Sequence, residues 1–203
     1  MYFVPNGGTP SAYDMGQATS IVAGLLVSPI KLIATTTITN NTTAQVTFNN
    51  LGSYNNLLIT YEARTTEAAT TGSVLLTVNG DTTNNYFAQE FSGFGTTPLA
   101  SSVQTVAFFS LGDIPGTGAM DANMTGWAFA AIPNLGVNQN ALGIVSISGV
   151  VTDVVPGQQG VEVRSGIYGV NGTNFTSITL AASGFAKYDG ATAPCIFSMY
   201  GSQ

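Results

Sequence analysis

The sequence predicts an all-β fold, a two-sheet antiparallel sandwich of jelly-roll-like type, with an N-terminal arm. Three observations carry that expectation. From about residue 30 onward, short β-rich runs alternate with clusters of turn-forming residues. No stretch keeps a helical period for longer than about two turns. The 203 residues include 27 Thr, 16 Ser, 16 Asn and 24 Gly, so strand formers and turn formers dominate a chain of single-domain size.

Residues 1–29 differ from the rest of the chain. Pro5, Gly7-Gly8 and Pro10 precede a mixed apolar run without clear period that ends at Pro29. Tyr2, Phe3, Tyr13, Ile21, Val22, Leu25, Leu26 and Val27 are too apolar to be left in water, so the segment reads as an arm docked on its own or a neighbouring subunit. Residues 30–203 then form one β-sandwich domain.

Its expected strands are 30–39, 45–48, 56–64, 73–78, 86–91, 103–111, 125–132, 142–151, 161–168, 176–182 and 196–200. Asn40-Asn41 closes the first, Asn79-Gly80-Asp81 the fourth, and Gly112-Asp113 with Pro115-Gly116 the sixth. Pro133-Asn134, Pro156-Gly157 and Asp189-Gly190 punctuate the later ones; Gly and Asn supply positive φ, and Pro fixes φ. In the fourth strand Val74, Leu76 and Val78 share one face while Leu75 and Thr77 take the other. In 143–150 both faces are partly apolar, as in a strand covered on both sides. Such regular spacing suits a sandwich better than a propeller or solenoid, and no internal repeat is evident.

Charge excludes more than it suggests. Ten acids stand against Lys31, Arg64, Arg164 and Lys187, a net charge of −6, so a partner held by phosphate neutralisation, nucleic acid above all, is not expected. No histidine is present, which removes Ser-His-Asp and Cys-His catalysis and His-ligated zinc. Cys195 is alone, so neither an intrachain disulfide nor a multi-Cys metal site can form; it is expected to be buried as a small hydrophobe. The apolar run 21–33 is too short for a bilayer and is broken by Gly24, Pro29 and Lys31, so no membrane span is expected. Met1-Tyr-Phe-Val-Pro has no basic n-region, and Sec export is not expected. Sequons at Asn40, Asn41, Asn123, Asn171 and Asn174 arise by chance in so Asn- and Thr-rich a chain.

Among the acids, Glu62, Glu67, Glu90, Asp113, Asp121 and Asp153 could in principle pair for acid/base work, but none lies in a recognisable catalytic setting. Glu62 and Arg64, two apart on a strand, share a face and read as a structural charge pair or subunit contact. The Gly-rich acidic stretch from Asp113 to Asp121 lacks the alternating oxygen ligands of an EF-hand. Gly93-Phe-Gly, Gly116-Thr-Gly and the glycines of 166–172 have neither the lysine nor the following helix of a phosphate loop. Trp127, Phe129 and Ala131 fall on one strand face, read as core, with a carbohydrate-stacking platform as the alternative. No catalytic, cofactor or metal residues are assigned, and an enzyme is not expected.

The run Val46-Thr-Phe-Asn-Asn-Leu-Gly-Ser-Tyr-Asn-Asn-Leu-Leu-Ile-Thr-Tyr-Glu-Ala-Arg, followed by Ser73-Val-Leu-Leu-Thr-Val-Asn-Gly-Asp-Thr-Thr-Asn-Asn-Tyr, resembles a β-rich module recurrent in tailed-bacteriophage virion proteins. Ile196-Phe-Ser-Met-Tyr-Gly resembles that module's closing strand. The resemblance covers residues 35–91 and 175–201, and its motifs are fold-forming turns. It implies a virion location, the protein being made in the host cytoplasm, and a non-enzymatic structural role. The first expectation is a capsid decoration or cement protein, a homotrimer held to the major capsid protein or other virion subunits. The alternative is a short tail or head fibre binding host glycan through Tyr86, Phe94, Trp127 and Tyr168. A surface of Thr, Ser and Asn suits either role, since few ions need desolvation when it is buried.

Overall fold

The computed structural model describes residues 29–94, 97–119, 123–133, 135, 142–151, 159–170 and 174–203. The arm residues Tyr2, Phe3, Tyr13, Ile21, Val22, Leu25, Leu26 and Val27 lie outside the described residues, as do Asp121 and Asp153.

Twelve strands run in order among the described residues: β1 (Lys31–Ile38), β2 (Gln45–Asn49), β3 (Asn56–Ala63), β4 (Thr71–Val78), β5 (Tyr86–Phe94), β6 (Thr97–Val106), β7 (Phe109–Pro115), β8 (Gly126–Ile132), β9 (Leu142–Val151), β10 (Gln159–Tyr168), β11 (Ser177–Ala182) and β12 (Cys195–Ser202). They form two antiparallel sheets, one of eight strands in the order β1-β12-β3-β8-β9-β10-β5-β6 and one of four in the order β2-β11-β4-β7.

The pairing is nested. β1 pairs with β12, β2 with β11, β3 with β8 and β4 with β7, alternately in the large and small sheets. A long antiparallel ribbon rolled into two layers has this connectivity, so the core of the fold is a jelly roll. Two insertions depart from it. β5–β6 falls between β4 and β7, β9–β10 falls between β8 and β11, and the four inserted strands extend the large sheet beyond β8.

The core lies between the sheets. Val74, Leu76 and Val78 of β4 face Ile59 and Tyr61 of β3 and Phe197 and Met199 of β12 across a continuous apolar cluster with Ile178 and Leu180 of β11. Alternation in β4 is as the sequence predicts: Val74, Leu76 and Val78 are fully buried, their neighbours partly exposed. Cys195 is buried at the start of β12, as expected, with its thiol against the Arg64 backbone.

The expected strand 103–111 is corrected. It is two strands, β6 and β7, in different sheets, interrupted at Ala107-Phe108. Thr105 sits at φ 56° where the β5–β6 register slips, which turns the chain out of the large sheet. Neither Gly nor Pro marks the break, so the apolar run reads through it.

The Asn79-Gly80 turn follows its chemistry. Both residues have positive φ, 51° and 70°, and Asp81 N–H donates to Val78 O at 2.8 Å, the arrangement of a type I′ turn. The Asn79 side-chain oxygen also accepts from Thr176 and Ser177 backbone N–H at 2.8 and 3.0 Å, tying the turn to the start of β11.

Candidate functional site

The strongest candidate surface arises from the register of the inserted strands. Phe91 of β5 lies opposite Val163 of β10, Val163 opposite Ile147 of β9, and Ile147 opposite Phe129 of β8. Side chains directly across a ladder share a face, so these four form one transverse apolar row on the outer side of the large sheet. A neighbouring row holds Val161 opposite Gly149 and Gly149 opposite Trp127. Trp127 and Phe129 stack with centroids 6.1 Å apart and planes 16° from parallel. The Trp127 ring also covers Gly149 so closely that a Cβ there would meet it at 2.7 Å.

β10 inverts the usual sandwich pattern. Val161 and Val163 are 56% and 40% exposed, whereas Glu162 and Arg164, which alternate with them, are 2% and 8% exposed. Ordinary strands put apolar residues in and charged residues out. Phe91, Trp127, Phe129, Val145 and Ile167 are likewise exposed on the outer face. The expectation that Trp127 and Phe129 are core is therefore corrected: Ala128, Ala130 and Ile132 take the inward positions, and the aromatics point out.

The outer face changes character along the sheet. Toward β1 it is mixed, with Thr35, Thr37, Thr60 and Ser198 beside exposed Ile196 and Leu32, and Glu62 its acid. Beside the apolar row on β5, Gln89 pairs laterally with Ser102 of β6 and Ser165 of β10, forming a polar trough flanked by Phe91 and Val163 on one side and Phe87 and Ile167 on the other. The groove at its Phe91 side measures about 540 Å3.

Behind the valines lies an ionic cluster between the sheets. The Arg164 guanidinium reaches Glu162 at 3.0 Å, Glu90 at 3.3 Å and Asp113 at 3.7 Å. Glu162 Oε2 further accepts from Ser148 Oγ at 3.1 Å and Asp113 N–H at 3.2 Å, and Ser73 Oγ donates to Asp113 at 2.7 Å. Ser73 and Asp113 belong to the small sheet and the others to the large one, so the cluster clasps the layers together. Burial, and then the neighbouring Asp113 charge, push the Glu162 carboxyl up to about 7 against the pull of Arg164. Burial raises Asp113 as well. A small cavity of about 80 Å3, walled by Ala88, Val106 and Phe108, adjoins the cluster; Arg164 Nε and Ser110 Oγ beside it have no hydrogen-bond partner among the described residues.

Three carboxylates thus converge, but the guanidinium holds the central place a cation would need. Among the described residues no group of three or more Cys, Asp or Glu side chains is placed to hold a metal ion. Asp113 is part of this clasp rather than of an open acidic loop.

The remaining singled-out residues are structural. Arg64 does not share a face with exposed Glu62. It turns inward, 2% exposed, and its Nε donates to Asp189 at 3.0 Å while Nη1 and Nη2 donate to Met124 O and Gly116 O. Glu62 accepts from Thr125 Oγ1 at 2.9 Å instead. Sequence spacing offers no sign of Asp189, which is 125 residues away. Glu67 accepts from Ser183 Oγ at 2.8 Å.

Tyr86 and Tyr168 are buried, which corrects their expected place on a glycan platform. Tyr168 OH donates to the Asp81 carboxylate at 2.8 Å, and Tyr86 OH donates to Asp81 O and accepts from Val78 N–H. Burial pushes the Tyr86 hydroxyl up to about 12. For Asp81 itself burial acts upward, but hydrogen bonds from Thr83, Asn85 and Tyr168 outweigh it and hold the carboxyl at about 2. The side chain of Phe94 is not among those described.

Compared with family models, curated proteins and solved structures, the chain matches none.

Proposed function

We propose that this protein is a non-enzymatic structural component of a tailed-phage virion, most readily a capsid decoration or cement protein. Its partners are further copies of itself, as a trimer, and the major capsid protein or other virion subunits. One observation carries the assembly part of this reading: β8 and the inserted strands turn valines and aromatics outward, and β5 and β10 turn their ions inward. An apolar face of this kind on a soluble domain marks an interaction site. The virion part rests on the resemblance of residues 46–64, 73–86 and 196–201 to the phage module. Their roles here agree with a fold-forming motif, since Asp81 and Arg64 organise turns and buried contacts.

Particles stripped of the protein should lose resistance to heat or osmotic shock, and adding it back should restore it. Unchanged particle stability would sink the decoration role. A fibre that binds a neutral host glycan is the second reading, favoured by the Gln89, Ser102 and Ser165 trough between apolar walls. Labelling of the protein on heads supports the first reading; labelling on tail tips, with glycan-array binding, supports the second.

A further inference from the structure

We infer that the outer face of the large sheet packs against the same face of another copy of this chain, with the Phe91, Val163, Phe129 and Trp127 region at the centre of the contact. The inference deepens the assembly reading above and rests on it.

Size supports it first. Eight strands spaced about 4.8 Å apart, each about seven residues long at 3.3 Å, make a face of roughly 900 Å2. Each partner in a standard stable interface contributes about 800 Å2. The apolar half, β8 through β5, is roughly 440 Å2 of that. The half toward β1 mixes Thr and Ser with exposed Ile196 and Leu32, so it forms a more polar margin beside that apolar region.

Charge decides the occupant. A partner with ordinary surface charge would bury ions against Val163 and Phe129 without compensation. The matching surface must be nearly as free of charge, and this chain's own face is: Glu62 is the acid among its central outward positions, and Arg164, Glu162 and Glu90 are turned toward the clasp behind it. A two-fold contact lets one such patch serve both sides; around a three-fold axis the face serves when one margin of it meets the opposite margin of the next copy's face.

The experiment uses the purified full chain with no other protein present. Its mass is measured by sedimentation over a range of concentrations, together with acrylamide quenching of its single tryptophan, Trp127. The expected result is an oligomer with shielded Trp127. Phe91→Lys and Val163→Lys, made separately in case one folds poorly, should each weaken association at least about tenfold and expose Trp127 with an unchanged β-sheet spectrum. Thr47→Lys, on the outer side of the small sheet, should leave mass and quenching as they were. A monomeric wild-type chain, or an oligomer unaffected by both face variants, overturns the inference. So does a full chain that is monomeric while a chain beginning at Ile30 associates, because residues 1–29 would then be the cover. None of these outcomes bears on where the protein sits in a particle, so this inference and the virion reading can fail separately.

Discussion

Arg164 is held by three carboxylates in a place where one would neutralise it, and the excess negative charge is relieved by a proton. Glu162 is the group that keeps it, its carboxyl raised from about 4.5 to about 7 by burial and by Asp113. Because the folded state binds that proton more tightly than the unfolded chain, the contribution to stability is fully present below about pH 4.5. It is lost as pH rises through about 7. Denaturant unfolding should therefore show stability falling between pH 5 and pH 8 by on the order of 2–3 kcal/mol. Glu162→Gln, which keeps the shape without the charge, should flatten that slope; a wild-type profile flat across the range would contradict the clasp. Asp81 acts in a separate window, since its lowered carboxyl supports the fold above about pH 3.8 and ceases to as pH falls through about 2. Arg64 is a different kind of residue, paired with Asp189 and buried. Arg64→Ala should cost about 3–5 kcal/mol by leaving Asp189 without its partner, measurable as a drop in unfolding free energy. At this scale the sequence exposes which residues are unusual but not their partners. Strand period puts Arg64 beside Glu62 because it is local knowledge, whereas the Asp189 contact depends on how β12 closes the sheet.

Along the strands, most of the pattern is legible wherever one face is covered by the small sheet. β4 and β3 alternate as their sequences indicate, because a jelly-roll layer has one wet and one dry side. The inserted strands are harder. β9 reads as covered on both faces, yet in the single chain only its inner side is, and Val145 stands exposed. Trp127 misleads for the same reason: its size suggests core, while small Ala128 and Ala130 fill the inward positions. Two glycines test these elements. Gly112, at φ 146° on the bulged edge of β7, lies where a Cβ would meet Ser148 and approach the Tyr61 hydroxyl. Gly112→Ala should destabilise by about 2–4 kcal/mol, since strain and overlap act together. In the Val163→Lys chain, where Trp127 is expected to be uncovered, Gly149→Ala brings a Cβ against an indole that can swing aside. It should cost no more than about 1 kcal/mol yet shift the Trp127 emission; a large stability loss there would mean the indole is fixed in place.

For the molecule as a whole, nested pairing runs from β1–β12 inward among the described residues. A chain beginning at Ile30 is expected to keep its unfolding midpoint but to bind particles poorly, and equal binding would reduce residues 1–29 to a mere terminus. The jelly-roll class is readable from turn chemistry and alternation. The eight-to-four division of strands is not, because which sheet an inserted hairpin joins is settled by long-range pairing such as β10 with β5. That division leaves a broad outer face without cover from its own small sheet, and another copy of the chain is expected to cover it. Oxidative labelling of Trp127 in the intact native chain tests this most directly. Burial in the assembly should slow its modification at least about tenfold relative to the Val163→Lys chain. Equal labelling of the two chains would contradict the claim.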